Sequence, residues 1–203
     1  ISLLGGGSVK GCDIEVPSDI SSAAFFMVAG CISKDSSITL NSVNINPTRT
    51  GVIDILKLMG GNIELLNQRL QAGELIADIK VSSSNLKGIE IPENLVPLAI
   101  DEFPVLFIAA SCADGETVLT GAKELRVKES DRIQVMADGL TSLGIENHVL
   151  EDGIRILGGE FTKQASSIKS HHDHRISMAF AIASVRSKFD IEIEGVDNVK
   201  TSL

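Results

Sequence analysis

The sequence predicts an α/β fold: three βαβα-type repeats forming one inside-out domain, with three buried helices and the sheets outside them. Three observations predict it. The same order of segments recurs at a spacing of about eighty residues, as in chains built from one supersecondary unit. The first helix of each copy is apolar almost all round, which marks a buried helix. Each of these helices is followed by a polar turn and then a segment alternating apolar and polar residues, the period of a half-buried strand.

The first copy runs from Ser8-Val9-Lys10-Gly11 through Asp13 to Val16, and Asp19 then leads into the apolar helix Ile20 to Ile32. Lys34-Asp35 turns the chain into a strand over Ser37 to Leu40, and a loop carries Asn46-Pro47-Thr48-Arg49. An amphipathic helix with Val52, Ile55, Leu56 and Met59 inward follows, stopped by Gly60-Gly61. The second copy repeats this with Asn85 to Gly88, Ile89 to Ile91, Asp101 before the helix Phe103 to Cys112, and a strand over Thr117 to Leu119. Its loop is Lys128 to Arg132, opening a helix with Ile133, Met136, Leu140 and Leu143 on one face. The third copy is assigned the strand Ile154 to Leu157, then Asp173 before a helix over Ile176 to Val185, a strand over Asp190 to Ile193 and a loop at Asn198-Val199-Lys200. No second helix follows before Leu203, so this copy is incomplete. The repeats occupy about 1–70, 71–150 and 151–203 of a single domain.

With 43% hydrophobic residues over 203 positions, the chain is large enough to bury a core. Its formal net charge of −9 argues against a general nucleic-acid or membrane-surface binder, which carries a basic footprint. No apolar run is long enough to span a bilayer, and the start has no basic signal-peptide region. Cys12, Cys31 and Cys112 are unevenly spaced, which reads as reduced thiols in a cytoplasmic protein rather than as a disulfide framework. A chain opening on Ile1 without a Met predicts a fragment or a processed domain.

Two charge clusters stand at helix starts, Lys128-Glu129-Ser130-Asp131-Arg132 and Asp173-His174-Arg175. Cations there oppose the helix macrodipole by roughly 0.3–1 kcal/mol, so Arg132 and Arg175 are misplaced for stability alone. Helix starts also bind anions through free N–H groups, and a guanidinium adds a planar fork matched to phosphate or carboxylate. The plainer alternative is a pair of solvated surface salt bridges to Asp131 and Asp173. Asp19, Asp101 and Asp173 are each either simple N-caps or acids gathered on one face where the buried helices begin. Glu129 is either a loop partner of Lys128 or a proton shuttle beside cations. His171, His172 and His174 come with no complementary Cys or His set, so no metal and no cofactor is expected.

Taken in order, the segments Val16 to Phe25, Ile45 to Gly51, Asp101-Glu102-Phe103-Pro104, Lys128 to Ile133 and Asp173 to Met178 resemble the enolpyruvyl transferases. The resemblance covers essentially the whole chain. It implies a two-domain protein of six such repeats with buried parallel helices, of which this chain matches the second half. It also implies phosphoenolpyruvate and shikimate 3-phosphate as substrates and the missing N-terminal domain as a partner. Asp101 then matches the proton acceptor at the shikimate hydroxyl, Glu129 the proton donor and acceptor at the enolpyruvyl methylene, and Lys128 a contact to shikimate 3-phosphate. Arg132, Arg175 and Lys200 match cations that hold phosphoenolpyruvate, with His174 beside them. Two other readings remain open: half of the transferase acting on a UDP-amino sugar, and a non-catalytic α/β module. RNA 3′-phosphate cyclase, with related repeats, fits the acidic charge poorly.

Overall fold

The computed structural model of the chain describes all residues except 1, 3, 9, 12, 165, 166, 202 and 203. Val9, in the expected opening strand, and Cys12 therefore lie outside the described residues. From its N-terminal end the chain forms α1 (Ile20–Ile32), β1 (Ser37–Asn44), α2 (Gly51–Leu58), β2 (Asn62–Gln71) and β3 (Glu74–Ser82). There follow α3 (Phe103–Ser111), β4 (Glu116–Leu119), α4 (Arg132–Ser142), β5 (Asn147–Val149) and β6 (Ile154–Leu157). The last elements are β7 (Ile168–Lys169), α5 (His174–Ala183), β8 (Ile193–Glu194) and a 3-10 turn over Asp197–Thr201.

Two antiparallel sheets have the orders β1-β3-β2 and β4-β6-β5, each with the last strand of its group in the centre. A small parallel pair joins β7 to β8. Ser18 bridges Val43 and Glu90 bridges Val118 in the same parallel sense, so the segment before each of α1, α3 and α5 meets the segment after it.

Those three helices form the core because they have almost no polar surface to offer water. All nine residues of α3 are buried, and α1 buries ten of its thirteen. They touch one another pairwise. Ser21 near the start of α1 bonds Glu102 at the start of α3, and Arg175 at the start of α5 bonds the Asp101 carbonyl, so all three starts share one side. At the other end, a cavity of about 350 Å³ is bordered by Ile32, Cys112 and Arg186, where the three helices finish. Outside this bundle, α4 approaches α5 so closely that a Cβ on Gly139 would sit 2.2 Å from Cζ of Phe180.

Several assignments need correction. Ile154–Leu157 opens no third copy; it is β6, central in the second sheet between β4 and β5. Its alternating burial is that of any half-buried strand, and alternation does not name the partner. The strand ahead of α5 is β7, and α5 begins at His174 because the Asp173 carboxylate caps the N–H of Arg175. The strand expected over Asp190 to Ile193 is the shorter, shifted β8. The long β2–β3 hairpin was not expected at all. Cys31 is buried and Cys112 half-buried, both free thiols whose pKa burial pushes up. Among the described residues no helix is long and apolar enough to cross a membrane.

Candidate active site

Where the helix starts meet, the chain assembles a ring of alternating charge. The loop before α4 is fixed first. Asp131 accepts the Gln134 N–H at 3.0 Å as N-cap and takes Arg126 Nη1 at 2.7 Å. Arg126 also donates to the Glu151 and Leu150 carbonyls at 2.7 and 2.6 Å, which ties the loop to the turn between β5 and β6. Asp131 is thereby occupied with Arg126. Arg132, the first residue of α4, turns inward instead and is 0% exposed.

A buried guanidinium is tolerable only if its charge is matched and its donors are used. Arg132 Nε donates to Asp173 Oδ2 at 2.9 Å, Nη2 to Glu129 Oε2 at 2.5 Å, and Nη1 lies 3.5 Å from Asp101 Oδ1. The alternative of a solvated surface pair to Asp131 therefore fails for Arg132, because its partners are three carboxylates from other parts of the chain or the preceding loop. Asp173 is also 0% exposed, and it accepts Ser130 Oγ at 3.0 Å while capping α5.

Asp101 is no N-cap, since Glu102 occupies that position with no side-chain cap bond. Its carboxylate faces Lys128 Nζ at 3.4 Å, Arg132 at 3.5 Å and Arg175 Nη2 at 3.9 Å. Burial pushes its pKa up, but Arg175, Lys128 and Arg132 together outweigh that and hold it below the usual aspartate range. Lys128 is held above the usual lysine range, first by its 2.5 Å contact with Glu124 and then by Asp101. Asp19, by contrast, caps α1, accepting the Ser22 N–H at 3.0 Å and the Ser22 hydroxyl at 3.3 Å.

Arg175 Nη1 donates to the Asp101 carbonyl at 3.0 Å. His174 lies half-buried at the head of α5, its pKa lowered by burial and by the charge of Arg175. Lys200 is exposed in the turn Asp197–Thr201, which Asn198 fastens to the His172 carbonyl just ahead of α5. Among the described residues Lys200 makes no ion pair with the ring. The structure thus brings together Asp101, Lys128, Glu129, Arg132 and Arg175, sets His174 beside them, and leaves Lys200 at the edge.

Residues not predicted complete the site. Glu102 is buried, accepts Ser21 Oγ at 2.5 Å, and has Arg49 at 3.5 Å and Arg175 at 3.7 Å. Arg49 Nη2 donates to Ser21 Oγ at 2.8 Å. The only signals for them were the acid next to Asp101 and the cation in the Asn46 to Arg49 loop. Neither reveals a contact across the bundle.

The fold has counterparts among solved structures. The enolpyruvyl transferase NikO from Streptomyces tendae matches 91% of this chain and 40% of its own, with a TM-score of 0.64; at 14% identity this speaks for the fold alone. The family follows from the sequence: the model of EPSP synthase (3-phosphoshikimate 1-carboxyvinyltransferase) matches residues 1–203, and the chain belongs to that family. The 3-phosphoshikimate 1-carboxyvinyltransferases of Vesicomyosocius okutanii subsp. Calyptogena okutanii and Ruthia magnifica subsp. Calyptogena magnifica are 68% and 69% identical to it over 202 residues. That span is all of this chain but 46% of each relative, so the chain is about half their length. The solved EPSP synthase from Acinetobacter baumannii is 57% identical with a TM-score of 0.94, covering 99% of this chain and 47% of that one.

Proposed function

We propose that this chain supplies one wall of a site that transfers the enolpyruvyl group of phosphoenolpyruvate to the 5-hydroxyl of shikimate 3-phosphate. The observation that carries the reading is Arg132, buried among Asp101, Glu129 and Asp173 where three helices begin. Asp101 accepts the hydroxyl proton as that oxygen attacks C2 of phosphoenolpyruvate, while Glu129 protonates C3. Glu129 then takes a proton back from C3 as phosphate leaves, and the enol ether product remains. Lys128 holds shikimate 3-phosphate; Arg175, Arg132 and Lys200 hold phosphoenolpyruvate, with His174 alongside. Fixed cations aimed at the charge that develops on the departing phosphate lower the barrier without reorganising.

Two features favour these roles. Asp101 is a weak base while three cations hold it, and ligand phosphate and carboxylate groups that draw those cations away make it more basic when the hydroxyl arrives. Arg132 has 1% of its side chain exposed, so its contact with ligand begins with Glu129, 54% exposed, swinging off it. For the architecture, we read three copies of one unit within a single domain, with β3 closing the first copy and β6 the second; the parallel crossings around α1, α3 and α5 support this.

Turnover tests the reading. Residues 1–203 alone should show no steady-state phosphate release from phosphoenolpyruvate and shikimate 3-phosphate, and adding the complementary half of the protein should restore it. Turnover by residues 1–203 alone would refute the half-site assignment.

A further inference from the structure

The ring contains as much negative as positive charge: Arg49, Lys128, Arg132 and Arg175 against Asp101, Glu102, Glu129 and Asp173. An anion entering a neutral cluster must displace a carboxylate or have one neutralised. The four carboxylates are not equal in this respect. Glu129 is 54% exposed and can swing into water. Asp173 is fully buried, holds Arg132 at 2.9 Å and caps α5, so it is fixed in place. Asp101 faces three cations.

Glu102 is the exception. It is 2% exposed, so it has nowhere to swing, and among the described residues its side chain has one hydrogen-bond partner, the Ser21 hydroxyl at 2.5 Å. Its compensating charges are held off at 3.5 Å (Arg49) and 3.7 Å (Arg175), and both reach the same oxygen, Oε1. These guanidiniums serve other acceptors at closer range, Ser21 Oγ at 2.8 Å and the Asp101 carbonyl at 3.0 Å. The groups facing Glu102 are thus Ser21 from α1, Arg49 from the β1–α2 loop, Arg175 from the start of α5, and Asp101 beside it, whose negative charge opposes ionisation. Arg49, 46% exposed at its side chain, presents its free edge to solvent.

We propose that Arg49 is a further anion-binding residue of the site and that Glu102 takes up a proton when an anionic ligand engages Arg49 and Arg175. The proton comes from solvent and forms the neutral carboxylic acid, and no other bond changes. Burial raises the Glu102 pKa, and the Ser21 hydroxyl and then attraction to Arg175 and Arg49 work against it. A phosphate or carboxylate that claims those guanidiniums removes that attraction. This rests on the phosphoenolpyruvate-binding reading above.

Calorimetry of phosphoenolpyruvate alone against the protein at its full natural length tests it, at pH 8, in buffers of different ionisation enthalpy. The dependence of heat on buffer should report uptake of about one proton per ligand, and Glu102→Gln should lose that uptake while still binding. Equal uptake in wild type and Glu102→Gln would overturn the proposal and point to Asp101 or His174 instead. Arg49→Gln, a change at a half-exposed position, should weaken binding by about tenfold and reduce the uptake, as expected for loss of one charge-assisted contact; unchanged affinity and uptake would also overturn it. No binding heat at millimolar ligand overturns both this and the phosphoenolpyruvate reading, whereas binding without uptake overturns this one only.

Discussion

Arg132 shows how a residue unfavourable by local rules becomes necessary in the folded chain. At the first position of α4 it opposes the macrodipole, and that cost is offset only because Asp173, Glu129 and Asp101 converge on it out of water. Arg132→Ala leaves the buried Asp173 carboxylate with its main partner gone, so we expect a loss of about 3–5 kcal/mol in urea unfolding. Arg175→Ala, at a more exposed side chain, should cost distinctly less. Asp101 makes the pH prediction. Its folded pKa lies below the usual aspartate value, so its contribution is present above that value and lost as pH falls through the folded one. Urea midpoints of wild type and Asp101→Asn should therefore differ at neutral pH and converge in acid. That Arg132 and Arg175 were unusual was legible in the sequence, because helix-start electrostatics is local. That Glu102, Ser21 and Arg49 join them was not, since these residues lie in three segments and meet only when α1 and α3 pack.

At the scale of elements, the buried helices were the most legible part. A run such as Phe103 to Ser111 has no polar face and can only be interior. The sheets were less so. β2 and β3 pair over most of their length, but Leu65 and Leu66 stand side by side and a register shift follows, which breaks the alternation that would mark a strand. Asp78 stabilises both shifts, accepting the Ser42 N–H and Asn67 Nδ2 at 2.8 Å each across the sheet. β6 was recognised as a strand but given to the wrong group, because its central place is set by pairing with β4 and β5. The contact of α4 with α5 gives an element-scale test: a methyl at Gly139 would collide with the Phe180 ring. Gly139→Ala should destabilise by about 1–3 kcal/mol despite the better helix propensity of alanine, because overpacking outweighs it. A rise in melting temperature would show that α4 can move away freely.

For the whole molecule, three parallel helices bring their starts to one side, and every residue of the proposed chemistry except Lys200 belongs to a helix start or the loop just before one. This geometry makes a single sequence motif insufficient and their combination informative: the Lys128 to Arg132 segment supplies the proposed proton shuttle and two cations, the segment before α3 the proposed acceptor, and the start of α5 the capping acid and a second guanidinium. The chain spans about half the length of its relatives, and the ring lies on a face that is open in these 203 residues. The most direct measurement is steady-state phosphate release by the protein at its full natural length carrying Asp101→Asn or Glu129→Gln, with folding checked by urea unfolding. Loss of the acceptor or of the shuttle should lower kcat by about 10²–10⁴ with each variant still folded. A kcat within a few-fold of wild type in both variants would contradict the assignment of the helix-start ring as the site of proton transfer.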